Sequence, residues 1–300
     1  MKFTEGPVFK WMLMIGLSLI WGSSFILMKR GLEDFTPTQV AAIRLSAAFL
    51  CLFPFVMTHA SKIKRHQWKY IFATGLLGNG IPAFLFTLAQ TEVPSFLAGM
   101  LNSLTPVFTM AIGYFIFENR VSAIKVIGVG LGLAGAVALI MVTAGGDIGP
   151  ISWFPILIVI ATFCYGMSVN IIKNKLHDVA AVNISGFALL IVGPPTGLYL
   201  FMTDFTGRLS ENPHAFISLG YVLLLGIFGT AISIVVFNRL IKTSGALFAS
   251  SVTYMIPIVA MLWGVADGEM IGIWHLVAMG AILGGVNLIN HKTKSEAAQS

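Results

Sequence analysis

The chain carries an internal repeat, which restricts its possible folds more than any other feature. Residues 75–118 align without a gap on residues 226–269, a shift of 151 positions. Glycine, proline and glutamate recur at this shift, and they are less easily matched by chance in an apolar chain than leucine or isoleucine. The matched pairs include Gly75 and Gly226, Gly78 and Gly229, Pro106 and Pro257, and Glu118 and Glu269. The sequence therefore predicts two homologous units.

The earlier parts of the two units also align, with a shift of 144. Gly22, Ser24 and Lys29 then match Gly166, Ser168 and Lys173. The larger shift later in the chain indicates seven inserted residues, which we place in the loop near 203–214.

Composition indicates that this duplicated chain lies in lipid. Apolar residues make up 57% of the chain and charged residues 10%, whereas a soluble domain carries roughly 25% charged residues. The net charge of +6 does not indicate nucleic-acid binding, because the basic residues fall in short gaps between apolar runs. Basic residues in such short gaps typically determine the orientation of a membrane protein.

Ten apolar runs are long enough to cross a bilayer, which requires about 20 residues per helix. A closed barrel is excluded by the continuous apolar runs. We therefore predict an all-α integral membrane protein. The runs are 8–28, 37–57, 68–89, 94–117, 121–143, 152–172, 181–202, 215–239, 245–266 and 270–290.

The distribution of basic residues predicts the orientation. With the N-terminus in the cytoplasm, fourteen of the 18 Lys and Arg residues face the cytoplasm, so both termini should lie there. Because each repeat has an odd number of spans, the second repeat must enter the membrane from the opposite side. The predicted units are 1–145 and 146–291, followed by a disordered cytoplasmic tail at 292–300. Inverted repeats of this kind are typical of secondary transporters that work by alternating access.

Several short motifs resemble the drug/metabolite transporter superfamily, in its ten-helix EamA-type branch. The first span carries WGSSF at 21–25, the second carries Pro37 and Arg44, and the fourth carries Leu104 to Pro106. The resemblance covers nearly the whole chain. It implies export of amino acids or related small metabolites across the bacterial inner membrane.

Prolines within three spans predict kinks near the bilayer midplane. Pro106 frees the backbone carbonyl of Asn102, and its repeat equivalent Pro257 frees that of Thr253. These groups must be satisfied internally or line a cavity. Two interpretations remain open: a pair of substrate contacts, or tolerated kinks repaired by neighbouring groups. Pro82 is the third kink candidate.

Polar and aromatic residues near these kinks are the candidate substrate contacts. The serines have an alternative role in helix packing, while a midplane amide needs several hydrogen-bond partners. The candidates are Trp21, Ser24, Asn79, Asn102, Tyr165, Ser168, Thr253 and Tyr254.

Arg44 is the one formal charge predicted deep within a span. It could attract a carboxylate substrate, or it could hold helices together through carbonyl groups, and snorkelling to the interface is a further alternative. Since Asp and Glu fall at span ends, a buried carboxylate for proton exchange is not visible. Proton coupling, with His275 as a weak candidate, and facilitated diffusion both remain open.

Glycine spacing predicts that spans five and ten pack closely. Gly128 and Gly132 form a small-residue face, and Gly280 and Gly284 form its counterpart. The fingerprint-like spacing of Gly130 and its neighbours lies inside an apolar run, so we predict no cofactor. No metal-ligand spacing or catalytic constellation is present in the sequence. The expected partners are a small-molecule substrate and the lipid bilayer, not nucleic acid, and the oligomeric state stays open. A passive channel is the main alternative to a carrier, and a membrane-embedded enzyme a weaker one.

Overall fold

A computed structural model of the protein describes residues 7–59, 63–118, 122–143, 152–250 and 252–290. The predicted tail at 292–300 lies outside these residues. The longer helices are α1 (Pro7–Gly31), α2 (Pro37–His59), α7 (Ala123–Thr143), α8 (Phe154–Lys175), α9 (Ala181–Phe201), α12 (Ser233–Ser250), α13 (Val252–Ala266) and α14 (Ile273–Asn290). The shorter ones are α3 (Trp68–Gly75), α4 (Ile81–Ala89), α5 (Ser95–Asn102), α6 (Thr105–Phe115), α10 (Phe205–Glu211) and α11 (Ala215–Gly226).

Within the described ranges the fold is entirely helical, which confirms the predicted fold class at that level. Eight helical stretches are long and apolar enough to cross a membrane, and two further apolar helices, Val252–Ala266 and Ile273–Ile289, are shorter. Large apolar side chains such as Phe115, Phe201 and Met270 are exposed on the outer surface. Such a surface is stable in lipid and not in water.

One predicted boundary is wrong. A break was expected between 239 and 245, but α12 continues as helix to Ser250. In the first half of the chain, the corresponding break falls before Pro94, whose ring disfavours helix at the preceding residue. The repeat equivalent of Pro94 is Gly245. Glycine weakens a helix without forbidding it, so the backbone continues.

Two widened helical turns lie at equivalent places in the repeat. The segments Leu76–Gly80 and Ile227–Ile232 are π-helical, and the shift of 151 superposes their first residues. In the first, the Ile81 N–H donates to the Leu76 carbonyl, five residues back. In the second, the Ser233 hydroxyl donates to the Phe228 carbonyl at 2.7 Å. Single π-turns of this kind are frequent at functional sites.

The helical stretches containing these turns run in opposite directions. Ser218, near the start of α11, donates to the Arg30 carbonyl at the end of α1. Gln90, just after α4, donates to the Phe25 carbonyl of α1. The end of α4 and the start of α11 therefore lie near the same end of α1.

The opposite ends of the same two stretches also meet. Lys64 and Gln67, before α3, both donate to Asp178. Lys242, near the end of the apolar stretch Ala215–Thr243, donates to the Val179 carbonyl. We name this region the Asp178 end, and the region around Lys29 and Glu269 the Glu269 end.

Equivalent glycines bring each half of the chain against the other in a reciprocal manner. A Cβ atom on Gly78 would lie 2.5 Å from the Ser168 hydroxyl oxygen. Its equivalent Gly229 places a Cβ 2.9 Å from the hydroxyl oxygen of Ser24, the equivalent of Ser168.

A second reciprocal pair packs backbone against backbone. A Cβ on Gly75 would lie 2.7 Å from the Ala188 carbonyl oxygen, and a Cβ on Gly226 would lie 2.8 Å from that of Arg44. The shift of 144 relates Arg44 to Ala188. The two halves are thus packed crosswise through equivalent positions.

Helices α7 and α14 approach closely through glycine. A Cβ on Gly128 would lie 2.6 Å from the Gly285 carbonyl oxygen, which only a residue without a side chain permits. A Cβ on Gly132 would meet Val107 at 2.8 Å. Gly280 has open space at its Cβ position, and Gly284 faces Leu131 at 3.6 Å. Gly285 is therefore the glycine of α14 in closest contact with α7.

Candidate functional site

A cavity of about 150 Å³ lies between the two crosswise-packed halves. Both π-helical turns contribute to its wall, through Gly78 and Asn79 on one side and Gly229 and Thr230 on the other. A cavity of roughly this size holds a molecule as large as benzene.

The cavity brings together most of the predicted substrate contacts. Those in its wall are Trp21, Ser24, Asn79, Asn102, Tyr165, Ser168 and Thr253, together with Arg44. Tyr254 is the exception among the candidates, because it packs partly buried against the hydrophobic core. The three kink prolines, Pro82, Pro106 and Pro257, are buried in the helices of the wall without lining the cavity.

Aromatic side chains hold the two halves in register around this space. The Trp21 indole Nε1 donates to the Gly229 carbonyl at 3.0 Å, and its ring meets Phe237 edge-on at 5.0 Å. Tyr165, the repeat equivalent of Trp21, stacks on Phe86 with ring centroids 6.0 Å apart. The wall is therefore largely apolar, with a few fixed polar groups.

The two carbonyls that the equivalent prolines were expected to free have hydroxyl partners. The Thr105 hydroxyl donates to the Asn102 carbonyl at 2.9 Å, and the Ser103 hydroxyl donates to the Thr253 carbonyl at 3.2 Å. Neighbouring groups thus repair the backbone at both sites. Asn102 and Thr253 nevertheless line the cavity, so their role as substrate contacts stays a prediction.

The equivalent prolines have different local effects. The helix is interrupted by a turn at Ser103 and Leu104. Pro106 therefore lies in the first turn of α6, where its missing N–H costs no helical hydrogen bond. Pro257 lies within α13, which continues through it. The end of α5 and the start of α6 meet at the cavity, which Asn102 and Thr105 line.

Arg44 reaches the cavity from α2. Its Nε donates to the Thr230 hydroxyl at 2.7 Å, and the Thr230 hydroxyl donates in turn to the Leu225 carbonyl at 3.3 Å. Within the described part of the chain, no carboxylate lies within ion-pair distance of Arg44. Of the described residues that line the cavity, none is acidic.

Sequence reasoning missed several polar groups of the wall. Thr74 and Thr230 were not candidates, nor were Ser185 and Asn238, which are joined by a hydrogen bond of 2.9 Å. Thr230 could have been found, because the shift of 151 relates it to Asn79. Thr74 and Ser185 correspond to the apolar residues Leu225 and Ala41, whereas Asn238 corresponds to Thr87, which does not line the cavity.

A cluster of charges lies at the Glu269 end. Lys29 Nζ pairs with Asp267 Oδ2 at 2.6 Å and with Glu269 Oε1 at 2.7 Å. The two oxygens of Glu269 also accept the N–H groups of Ser95 and Phe96 at 3.0 and 3.1 Å. Gly268, with φ of +78°, allows the sharp turn that places both carboxylates.

The equivalent residues at the Asp178 end are not paired. Lys173 and Glu118, the equivalents of Lys29 and Glu269, are both described and exposed, and no ion pair joins them. Glu118 itself adopts φ of +54°, a backbone conformation that costs a residue with a side chain about 1–2 kcal/mol. The two ends therefore share one equivalent lysine and glutamate, which are paired only at the Glu269 end.

A second polar cluster connects the loops of the Glu269 end. Asp34 accepts the hydroxyl of Ser218 at 2.6 Å and contacts His214 Nδ1 at 2.7 Å. These contacts, the Ser218 hydrogen bond foremost, hold the pKa of the Asp34 carboxyl below its usual range. Asp34 therefore stays ionised and keeps the loop after α1 against α11.

Among the described residues, no group of three or more His, Cys, Asp or Glu side chains is arranged to hold a metal ion. Among the described residues, the polar groups that line the cavity are hydroxyls, amides, the Trp21 indole N–H and the Arg44 guanidinium. Such a set can bind and orient a small polar solute.

The comparison with known protein families decides the class. The sequence model of the EamA-like transporter family matches residues 9–141 and matches again at residues 152–291. The chain belongs to the EamA-like transporter family. As a member, it is a multi-pass membrane transporter, and the twofold match agrees with the internal repeat.

Curated relatives of this EamA-like transporter carry transporter names. An uncharacterized inner membrane transporter, YedA of Escherichia coli K12, is 27% identical over 92% of this chain and 89% of its own length. An S-adenosylmethionine/S-adenosylhomocysteine transporter of Chlamydia muridarum is 23% identical over 92% of this chain and 89% of its own. A probable amino-acid metabolite efflux pump of Salmonella typhimurium is 29% identical over 53% of this chain and 51% of its own.

A solved structure described as a crystal structure of a protein shares the fold. It superposes with a TM-score of 0.65 at 18% identity and covers 93% of this chain and 95% of its own. At that identity the likeness concerns the fold alone.

Proposed function

We propose that this protein is a secondary transporter that exports amino acids or related small metabolites across the bacterial inner membrane by alternating access. The reciprocal packing of the two halves around one cavity is the observation that carries this proposal. Ser24 on Gly229 and Ser168 on Gly78 are the same contact made twice, with the halves exchanged. Two such arrangements of nearly equal energy are what alternating access requires.

The proposed architecture is ten transmembrane helices in two inverted five-helix repeats, 1–145 and 146–291. The opposite directions of the stretches Arg65–Ala89 and Ala215–Thr243 support it. The Asp178 end carries Lys64, Lys173 and Lys242, so the positive-inside rule assigns that end and both termini to the cytoplasm.

The charged contacts at the two ends are the part of the structure that would change during transport. In the conformation described above, Glu269 joins Lys29 to the start of α5 at the proposed external end. We infer that in the alternative conformation this cluster separates while Glu118 pairs with Lys173 at the cytoplasmic end. Breaking one set of charge-assisted bonds while forming an equivalent set keeps the two conformations close in free energy.

The transport experiment is solute counterflow in proteoliposomes. Vesicles are loaded with each of the twenty L-amino acids, or with S-adenosylmethionine because of the Chlamydia relative, and uptake of the same labelled solute is followed. A carrier gives saturable uptake that depends on the loaded solute. Flux that rises linearly with concentration and ignores the loaded solute would support a passive channel instead.

Direction and coupling require separate readouts. Imposed pH gradients test whether flux is coupled to protons, for which the described part of the cavity offers no carboxylate. Flux that ignores the gradient would support facilitated diffusion. Chemical change of the solute during uptake would support an enzyme and contradict the transporter proposal.

A further inference from the structure

The cavity has an asymmetry that the repeat makes visible. The contact between Arg44 and Thr230 has a repeat equivalent, formed by residues 188 and 79. Where the first contact has an arginine, the second has Ala188, which offers no side-chain donor. Asn79, which corresponds to Thr230, is therefore left without the guanidinium that its counterpart receives.

Asn79 is in fact unsatisfied. Its side chain is 6% exposed, its Oδ1 is buried, and that atom has no hydrogen-bond partner. The Thr74 hydroxyl, 3% exposed and in the wall of the same cavity, is also buried without a partner. Each buried polar atom left without a hydrogen bond costs about 1–3 kcal/mol. Two of them in one wall indicate a group that supplies hydrogen-bond donors from within the cavity.

Among the described residues, Arg44 lacks hydrogen-bond acceptors for its two terminal nitrogens, whereas Asn79 and Thr74 lack donors. Its Nε is used by Thr230, whereas its two terminal nitrogens have no carboxylate among the described residues. A guanidinium inside a membrane protein is costly unless a counter-charge or strong acceptors meet it. The geometry that satisfies two guanidinium nitrogens best is a planar carboxylate.

We propose that Arg44 binds the carboxylate of the transported solute, and that Asn79 and Thr74 bind its ammonium group or another N–H donor. This assignment rests on the transporter function proposed above. It makes Arg44 and Asn79 the residues that select for the two ends of an amino-acid head group, while the apolar wall around Trp21 and Tyr165 receives the rest of the molecule.

The recognition is tested by binding, independently of transport. Protein in lipid nanodiscs is titrated with the twenty L-amino acids, and binding is read from the unfolding midpoint. For the strongest binder, the α-carboxamide removes the carboxylate charge and the des-amino acid removes the ammonium group. The wild-type protein should bind the intact amino acid at least about tenfold more tightly than either analogue, a difference of ~1.4 kcal/mol.

Two variants separate the two contacts. Arg44→Gln should lose the preference for the amino acid over its carboxamide and keep the preference over the des-amino acid. Asn79→Leu should do the reverse, and it should also raise the unfolding midpoint without ligand, because it removes an unsatisfied buried amide. Arg208→Gln makes the same arginine change in the loop helix α10, outside the cavity, and should keep both preferences.

Several results would overturn the assignment. They are an undiminished carboxylate preference in Arg44→Gln, equal loss of affinity for all three compounds in both variants, a midpoint shift with inorganic phosphate alone, and no binding of any amino acid by the wild-type protein. The transport proposal fails differently. A solute that binds with the expected preferences but shows no counterflow would leave the recognition intact and remove the carrier function.

Discussion

The two ends of the molecule carry an equivalent lysine and glutamate, but only one end pairs them. At the Glu269 end, Lys29 and Glu269 are paired at 2.7 Å and fix the start of α5. At the Asp178 end, Lys173 and Glu118 are exposed and unpaired with each other. The packing of glycines between the halves is nearly the same on both sides. The helical framework is therefore nearly symmetric, whereas the charged contacts distinguish one end from the other.

Locking the paired end should have the largest effect. With Cys51 and Cys164 replaced by alanine, the pair Lys29→Cys and Glu269→Cys should react quickly with a short bifunctional thiol reagent and lose essentially all counterflow. The equivalent pair Lys173→Cys and Glu118→Cys should crosslink at least about tenfold more slowly, because it forms only in the less populated conformation. Equal rates at both ends would contradict the inferred difference.

Removing the carboxylate of the paired end should shift the balance between conformations. Glu269→Gln loses a buried charge with three hydrogen-bond partners. We expect about a tenfold rise, or ~1.4 kcal/mol, in labelling of a Met28→Cys reporter by an impermeant thiol reagent added outside. Met28 lines the cavity and is 2% exposed.

The matched control is Glu118→Gln, which makes the same change at the other end. It should leave Met28→Cys labelling unchanged or lower it, because Glu118 is unpaired in this conformation. A rise as large as that in Glu269→Gln would show that the two ends do not differ in the way inferred.

Substitutions in the symmetric framework should have equal effects in the two halves. Gly75→Ala and Gly226→Ala each press a Cβ to within 2.8 Å of a backbone carbonyl oxygen. Overpacking of this kind costs about 1–3 kcal/mol of folding stability, so both should lower the unfolding midpoint similarly.

Gly220→Ala is the control for this pair, because nothing lies within 4 Å of its Cβ position in α11. It should leave stability unchanged or raise it by up to about 1 kcal/mol. A large loss in only one of Gly75→Ala and Gly226→Ala would show that the crosswise packing is not reciprocal.

Acidification should have the smallest effect of these changes, and it should act on both ends over the same pH range. The pKa of Asp34 at one end is lowered, chiefly by the Ser218 hydrogen bond, and that of Asp178 at the other is lowered, chiefly by Lys64. Because its pKa is lowered on folding, each carboxylate stabilises the folded protein at pH values above the pKa of an aspartate in the unfolded chain, about 3.9. This contribution disappears as the pH falls below that value.

Titration of these two carboxylates should therefore not change the unfolding midpoint between pH 7 and pH 5. Asp34→Asn should reduce the acid-dependent loss more than Asp178→Asn, because Asp34 is the more buried, with 8% of its side chain exposed against 39%. A larger effect of Asp178→Asn would reverse this order.

The repeat and the hydropathy of the chain were sufficient to predict an all-helical membrane protein and to nominate the residues around a central cavity. Equivalent positions such as Pro106 and Pro257 could be recognised because their shift is constant along the chain. Helical periodicity and the length of an apolar run depend only on residues that are neighbours along the chain, so both can be read from the sequence.

Tertiary structure decided what each nominated group does. The sequence could not show that Ser103 and Thr105 satisfy the freed carbonyls, that Tyr254 turns to the core, or that α12 continues past the expected turn. Nor could it show that Asn79 lacks a partner while Thr230 receives Arg44. These outcomes depend on distances between residues far apart in the chain, which are fixed only when the two halves pack.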